Sequence, residues 1–573
     1  MSEPRREPPA WLAPVSAALV EALPRLHGTT AEPPLRELIT ALTAALADGK
    51  TELPLGGPAP AGVTADSWPA EHHRALLASP LARDPDGPLV LWEGRLCWRR
   101  WHERRQEVLE ALLRRAATPP ACPGAAEAES RQQAEAVAGH HGLDPQQSRA
   151  VQAVLERGLV LLEGGPGTGK TSTVAALIDS LEAQRPGLRL HLAAPTGKAA
   201  ARLQSATGGR LPCTTLHRLL ESRGDRFGRD RHHPLDLDGL VVDEVSMVDL
   251  ELMASLLDAL PESCLLVLVG DPAQLPPVAP GSVLLELQRP AVRQALGDGV
   301  VTLSRVYRNG GAIADAAGAL RQLLAGADGP WPAPLAAAGE EAIGRGSSDP
   351  LAGLRPLLET LPPEANLQWR EASPLAVPPL VRQRLRAHLE QLSRRAAACT
   401  PGEESGARAL LSERERLLVL SPLRQGRWGL EALHRCVLGE RALAGPRGWP
   451  AGLPVLCTRN LEELGLANGD VGVLVEGGQQ PGDRRLLFDA PGRGLLWVHP
   501  AQLAGAAEPA LALTVHKAQG SEAEEVVILL PQRLETDHRL LYTALTRARS
   551  QALLITPSRS DREPTGPAAA PRR

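Results

Sequence analysis

The sequence predicts an α/β fold built on parallel sheets, and three observations carry that expectation. The apolar run Leu159-Val160-Leu161-Leu162 leads into the turn Gly164-Gly165-Pro166-Gly167-Thr168-Gly169-Lys170-Thr171, and then into apolar residues at helical spacing, Val174, Leu177, Ile178 and Leu181. The same order returns at Leu190-His191-Leu192-Ala193-Ala194-Pro195-Thr196, followed by Gly197 and Lys198 at a helix start. Two more apolar runs, Leu240-Val241-Val242 and Leu265 to Val269, each stop at polar groups, Asp243-Glu244 and Gly270-Asp271. Short apolar runs alternating with helical patterns indicate strands joined by helical crossovers, hence a parallel sheet.

Strand, glycine-rich turn and helix is the setting in which GxxxxGK[ST] binds a nucleotide triphosphate. Glycines let the backbone curl until successive N–H groups and the helix N-terminus face one anion. Residues Gly164, Gly165, Pro166, Gly167, Thr168, Gly169, Lys170 and Thr171 are therefore the candidate ATP-binding loop. Lys170 reaches the terminal phosphates, and the Thr171 hydroxyl is a Mg²⁺ ligand.

The bulk properties set limits. A chain of 573 residues holds roughly three to four domains. Its 43% apolar and 22% charged residues read as globular. No run of about 18 uncharged apolar residues occurs, so no membrane contact is expected, and the N-terminus shows no signal-peptide pattern. The seven cysteines form no CxxC, which fits a reducing cytoplasm without disulfides or zinc. The net charge of −4 places any nucleic-acid affinity in a local groove. Among 62 basic residues only Lys50, Lys170, Lys198 and Lys517 are lysine, which marks them as positions where a guanidinium does not substitute. The two tyrosines, Tyr307 and Tyr542, each stand within a few residues of an arginine of interest.

From the N-terminus onward, helical patterns at Ser16–Leu26 and Leu35–Leu46 precede a hairpin, Leu89 to Trp98, that turns at Glu93-Gly94. A helix follows over Arg100–Arg115. Trp92, Trp98 and Trp101 suit either a core or a partner surface. Nothing catalytic shows in residues 1–118, which read as a partner-docking domain. Thr118-Pro119-Pro120-Ala121-Cys122-Pro123-Gly124 opens a linker over 119–139. Asp144 is a helix N-cap with Pro145 in the first turn, and Gln147 in that helix suits the hydrogen-bonding edges of adenine.

Beyond the phosphate loop, Thr196 and Lys198 sit at a strand-to-helix junction, where ligands of open α/β sheets gather. They are candidates for phosphate contacts to a second, polymeric ligand. Asp243 would hold Mg²⁺ through its water shell, and Glu244 would orient and deprotonate an attacking water. Gln274, in Gly270-Asp271-Pro272-Ala273-Gln274, can sense the γ-phosphate. The histidine pairs His140-His141 and His232-His233 lack partners at metal-ligand spacing and read as surface residues.

The ordered set GGPGTGKT, AAPTGKAAARL, TLHRLL, VVDEVSM, GDPAQLPPV, VYRN, TVHKAQGSE and YTALTRAR resembles the superfamily 1 helicases. More narrowly it resembles the RecD family, the 5′-to-3′ helicase subunit of exodeoxyribonuclease V (RecBCD). The motif resemblance spans residues 140–556, and the 89–112 hairpin and helix are also similar to the RecD N-terminal domain.

The resemblance implies two RecA-like motor domains, 140–302 and 303–556, with an SH3-like β insertion at 452–512. It implies ATP and Mg²⁺ as cofactors, adenine recognition by Gln147 and a ribose contact by Glu522. Lys170, Glu244, Gln274, Arg308 and Arg547 become the catalytic groups, Arg308 and Arg547 being arginines directed at the γ-phosphate. Thr196, Lys198, Thr215, His217, Thr514, His516 and Lys517 become the DNA contacts. The implied partners are single-stranded DNA, double-stranded DNA ends, and RecB-like helicase–nuclease and RecC-like subunits of a cytoplasmic heterotrimer.

Three alternatives stay open, one of them an RNA helicase of the same superfamily. A stand-alone RecD-like helicase carries a longer N-terminal extension, for which no room is expected here. A regulatory ATP-binding subunit without motor activity would have no need of the intact transition-state groups. No nuclease constellation is found. Residues 327–405 carry no recognisable chemistry, Trp428 suits a core better than a base stack, and the Pro-rich 557–573 reads as a disordered tail.

Overall fold

The computed structural model describes residues 11–118, 127–224, 226–307, 310–328, 351, 353–400, 402–476, 483–490, 494–531 and 538–558. Arg308, the opening of the 119–139 segment, and the tail from 559 lie outside the described residues. The chain divides into two compact units. The first is Met1–Gly164, Lys170–Pro195 and Gly209–Ser304; the second is Gly165–Gly169, Thr196–Gly208 and Arg305–Arg573.

In the first unit, β1 (Glu52–Pro54), β2 (Leu89–Trp92) and β3 (Arg95–Trp98) make a small antiparallel sheet. The β2–β3 turn places Glu93 at φ 47° and Gly94 at φ 73°, the two left-handed residues a tight hairpin of this length requires. This sheet and the helices Leu12–Leu26 and Pro33–Ala47 enclose Leu38, Ile39, Leu42, Leu76, Leu89 and Leu96.

The helix Arg99–Ala117 then leaves that cluster and joins another. Its Val108, Leu109, Leu112 and Ala116 pack in one core with Leu240, Val242, Met253, Leu256 and Leu268. Trp101 packs against this second core, whereas Trp98 packs against the first. Trp92 lies between the guanidinium groups of Arg105 and Arg289, 4.1 and 4.7 Å from the ring centre. A further helix, Glu127–His141, begins inside the 119–139 segment expected as a linker and runs two residues past its end.

The main sheet comprises β4 (Leu159–Gly164), β5 (Leu190–Ala194), β6 (Cys213–Thr215), β9 (Gly239–Val242), β10 (Leu265–Gly270) and β11 (Val300–Leu303). Its order is β11-β4-β10-β9-β5-β6, and every pairing is parallel. All residues of β4, β9 and β10 are buried, as expected of parallel strands covered on both faces. Between β6 and β9 lies the two-stranded ribbon β7 (Ser222–Arg223) and β8 (Arg226–Phe227).

The second unit holds another parallel sheet, ordered β12-β21-β20-β13-β19. Its strands are β12 (Leu367–Ala372), β13 (Leu417–Ser421), β19 (Ala512–Thr514), β20 (Ala523–Leu529) and β21 (Ala548–Pro557). Between β13 and β19 the chain forms a five-stranded antiparallel sheet, ordered β17-β16-β15-β14-β18. These strands are β14 (Pro454–Cys457), β15 (Val471–Glu476), β16 (Arg484–Ala490), β17 (Gly494–Val498) and β18 (Ala507–Pro509).

One core joins the two sheets, with Val419, Val527 and Leu553 from the parallel one and Val455, Leu474 and Phe488 from the antiparallel one. Gly472 is needed there, because a Cβ would stand 2.7 Å from Leu487 O and 2.9 Å from the Phe488 ring. Trp428 is 2% exposed and donates from Nε1 to Ala376 O, so it belongs to this core. Among the described residues no helix is long and apolar enough to cross a membrane.

Candidate functional site

Parallel strands put all their carboxyl ends on one edge of the sheet, where ligands of such sheets bind. In the first unit that edge carries, on the adjacent strands β4, β10 and β9, Gly164 at the start of the phosphate loop, the Asp271–Gln274 turn and Asp243-Glu244. Neighbouring strands lie about 4.8 Å apart, so β4 and β9, with β10 between them, are separated by roughly 10 Å.

Lys170 opens the helix Lys170–Gln184, and its Nζ donates to Gly164 O at 2.7 Å, folding the stem back over the loop. Within the loop, Gly167 and Gly169 take φ of 74° and 83°, and Thr168 Oγ1 donates to Gly165 O at 2.8 Å. Positive φ at these two glycines is the sharp curling that a phosphate-binding loop requires. Thr171 is half-buried in the first turn of the helix.

Asp243 follows β9 directly, and its Oδ1 accepts the Glu244 N–H at 2.8 Å. Glu244 is held at φ 53°, ψ 43°, a left-handed conformation that a non-glycine residue keeps only where the surroundings impose it. Gln274 is 5% exposed, and its Oε1 has no hydrogen-bond partner among the described residues. Ser246, in the 3₁₀ turn after Glu244, is 2% exposed with an equally unpartnered Oγ. Buried polar atoms without partners are rare, and two of them in the turns that follow β9 and β10 fit a site completed by phosphate oxygens. A Mg²⁺ ion held by Thr171 and Asp243 suits this hard oxygen donor set and would supply charge neutralisation to the phosphates. Ser246 was not singled out from sequence, although it lies inside the VVDEVSM stretch.

The other predicted residues of this unit have definite local roles. Gln147 is 5% exposed and its Oε1 accepts the Asp144 N–H at 3.1 Å, while Asp144 Oδ1 accepts the Gln147 N–H at 2.9 Å. This is a capping box at the start of the helix Pro145–Glu156. The neighbouring Gln146, not Gln147, reaches Ser304, donating to its Oγ at 2.9 Å. Thr215 caps the helix Leu216–Leu219 by accepting the Arg218 N–H. His217 is half-buried beside Phe227, and burial pushes its pKa below the usual histidine value.

In the second unit the rare lysines converge on one turn. Gly197 lets Asp470 approach so closely that a Cβ would stand 2.8 Å from Oδ1. Lys198 Nζ donates to Ser521 Oγ at 3.0 Å, and Lys517 Nζ donates to Asn468 Oδ1 at 2.6 Å. Burial pushes the Lys198 pKa down to about 7, assisted by Arg414 and opposed by Asp470 and Glu415. Burial likewise lowers Lys517 and raises Asp470. Thr196 caps the helix Gly197–Ala206, and Thr514 Oγ1 accepts the Lys517 N–H in the 3₁₀ turn His516–Ala518.

Glu522 pairs with Arg202 at 2.6 Å and with Arg549 at 3.2 Å, and Arg549 pairs also with Glu415. Arg547 is 3% exposed; its Nε donates to Thr543 O at 3.1 Å and its Nη1 to Ser521 O at 3.5 Å. Arg308 lies outside the described residues, but Tyr307 before it donates its N–H to Gly167 O at 2.8 Å. Arg321 was missed from sequence, where it is one arginine in an Ala/Leu-rich helix. It lies against the phosphate loop, since a Cβ on Gly165 would meet its Nη1 at 2.9 Å and Tyr542 Oη at 3.2 Å.

Comparison with known proteins follows the same division. Residues 147–280 match the model of an AAA domain, and 509–555 match that of a UvrD-like helicase C-terminal domain. RecBCD enzyme subunit RecD of Mycolicibacterium smegmatis is 37% identical over 543 residues, covering 88% of this chain and 84% of that protein. The chain belongs to the RecD family. RecD of Haemophilus influenzae is 30% identical to it over 450 residues, covering 71% of this chain and 68% of the relative. The ATP-dependent RecD2 DNA helicase of Deinococcus radiodurans is 31% identical over 461 residues, with 78% of this chain but only 53% of the relative covered. The strand-end residues Lys170, Asp243, Glu244 and Gln274 all fall inside the matched AAA domain of this RecD-family chain, and Lys517, Glu522 and Arg547 inside the matched C-terminal domain.

Proposed function

We propose that this chain is an ATP-dependent 5′-to-3′ DNA helicase and single-strand translocase, acting as the RecD subunit of a RecBCD-type helicase–nuclease in double-strand break repair. The observation that carries the reading is the alignment of the phosphate loop, the Asp243-Glu244 pair and Gln274 on the ends of three adjacent parallel strands, in a chain of RecD family membership over most of its length.

The chemistry follows from those groups. Lys170 and the inward N–H groups of the loop bind the triphosphate of ATP, and Gln147 and Glu522 contact adenine and ribose. Glu244 takes a proton from the attacking water, and Gln274 holds that water or the γ-phosphate through its side-chain amide. Arg308 and Arg547 stabilise the charge on the transferring phosphoryl, a contribution on the order of 10³–10⁵ in rate for a positioned arginine. Thr196, Lys198, Thr215, His217, Thr514, His516 and Lys517 grip the strand, and the antiparallel sheet of residues 454–509 is the SH3-like insertion beside it. ATP binding closes the two motor domains and hydrolysis releases them, so the grips alternate and the strand advances. RecB-like and RecC-like subunits complete a cytoplasmic complex, and strand degradation belongs to them.

The test is ATP hydrolysis with and without oligonucleotides. DNA single strands should stimulate turnover more than RNA strands do, and a 5′ overhang should support unwinding where a 3′ overhang does not. Lys170→Gln should abolish hydrolysis and unwinding while partner binding persists. Absence of DNA-stimulated hydrolysis in the parent chain overturns the motor reading.

A further inference from the structure

The strand that feeds the phosphate loop carries one charge. After Leu159, Val160, Leu161 and Leu162 come Glu163 and Gly164, and Glu163 has no exposure at all. Its Oε2 accepts Arg293 Nη1 at 2.8 Å and Thr302 Oγ1 at 3.4 Å, and its Oε1 accepts Gln288 Nε2. Arg293 Nη1 donates also to Gln288 Oε1 at 2.7 Å, which closes the set.

Such an arrangement is a poor way to gain stability. Taking a carboxylate out of water costs several kcal/mol, and a well-packed apolar residue commonly does as well or better. Its position gives it another use. In register, Glu163 stands opposite Gly270 on β10 and Thr302 on β11, so it lies at the strand terminus from which the loop departs. The next carbonyl, Gly164 O, is the one that receives Lys170 Nζ. The helix that supplies Arg293, Pro290–Leu296, is itself tied down at its start: Arg289 pairs with Glu52 at 3.0 Å and with Glu286, and stacks on Trp92.

We propose that Glu163 is a positioning residue for nucleotide binding: clamped by Arg293 and Gln288, it fixes the Gly164 carbonyl and, through it, the Lys170 ammonium that meets the phosphates. The proposal rests on the ATP-hydrolysing function given above. A slack strand end lets the ammonium wander, which weakens ground-state and transition-state binding alike, so the effect falls on KM rather than on kcat.

The test uses the full chain with a fluorescent ATP analogue, steady-state ATPase kinetics and a thermal melt. Glu163→Gln keeps the shape and one acceptor oxygen, but it removes the charge and turns an amide NH2 toward one of the donors that the carboxylate accepts. It should raise the analogue Kd and the ATP KM about tenfold, with kcat within about threefold of the parent. Gln288→Leu leaves the ion pair in place and should shift the same constants in the same direction by less. Adding Glu163→Gln to Arg293→Gln should weaken binding no further than Arg293→Gln alone, because the two act as a unit. Analogue affinity within twofold of the parent in both Glu163→Gln and Gln288→Leu overturns the proposal, whatever happens to the melting temperature. If Glu163→Gln does not fold, Gln288→Leu decides. A parent chain that binds no nucleotide overturns the functional reading and this inference together, whereas an active parent with unaltered variants overturns this inference alone.

Discussion

Lys198 donates from Nζ to the hydroxyl of Ser521 across 3.0 Å. Burial, and Arg414 after it, lower the Lys198 pKa to about 7, so its charge changes near neutrality. The unfolded chain holds this proton up to the ordinary lysine value, so between about pH 7 and 10.5 the unfolded state binds more protons and stability rises with pH. Below pH 7 both states are protonated and the burial penalty is fully present. In the proposed strand contact, affinity should run the other way, because a phosphate contact needs the ammonium. Anisotropy with a labelled single strand at fixed salt should show affinity falling from about pH 6 to about pH 8.5. Lys198→Arg should flatten that slope and Lys198→Met should abolish it; an unchanged slope in Lys198→Met assigns the titration to another group.

Arg547 lies two residues beyond the helix His538–Leu545 and is held by two carbonyls, with Nε on Thr543 O and Nη1 on Ser521 O. Arg547→Lys keeps a charge but not the fork, so kcat should fall about 10³-fold while ATP affinity changes only severalfold. Stopped-flow binding beside steady-state turnover separates the two quantities. Equal loss in both would make Arg547 a structural residue.

Gln274 Oε1 and Ser246 Oγ are buried without partners among the described residues, yet their removal should have different consequences. Gln274→Ala should lower kcat by about 10² with KM nearly constant, the pattern of a contact made mainly in the transition state. Ser246→Ala deletes an unsatisfied hydroxyl, so its melting temperature should equal or exceed that of the parent. A lowered melting temperature in Ser246→Ala would mean that the hydroxyl is bonded through water to the surrounding turn.

Glu52 is the shared acceptor of Arg95, Arg105 and Arg289, and Arg105 is 1% exposed. Glu52→Gln strands the buried Arg105 guanidinium, and breaking a buried pair this way costs about 3–5 kcal/mol. Urea unfolding should show a lower midpoint with an unchanged slope. A midpoint like the parent's would mean that the Trp92 ring and His102 Nδ1, 2.8 Å from Nη2, together compensate Arg105.

Much of the site was legible because its signals are local. The phosphate loop announces itself through glycines between a buried run and a helix, and the Glu93-Gly94 hairpin through the residues that tolerate positive φ. The capping box of Asp144 and Gln147 was legible too, as an N-cap acid with glutamine three residues on, although Gln147 read as an adenine contact or a solvated helix glutamine rather than as a cap. What stayed hidden depends on partners distant in the chain. Glu163 looks like an acid ending an apolar run, and nothing nearby points to Arg293, which lies 130 residues away. Glu522 reads from sequence as a ribose contact, and nothing near it in the chain announces that its carboxylate also pairs with Arg202 and Arg549. Arg321 has no periodic or motif signal, and its place against Gly165 follows only from tertiary packing.

The helix Arg99–Ala117 contributes Val108, Leu109, Leu112 and Ala116 to the interior that also holds Leu240, Leu256 and Leu268. Cutting the chain after this helix would strip the first sheet of an entire wall. A motor trimmed to its recognisable motifs would therefore present a sticky oily flank and precipitate, so any shortened version made for biochemistry has to start upstream of Arg99.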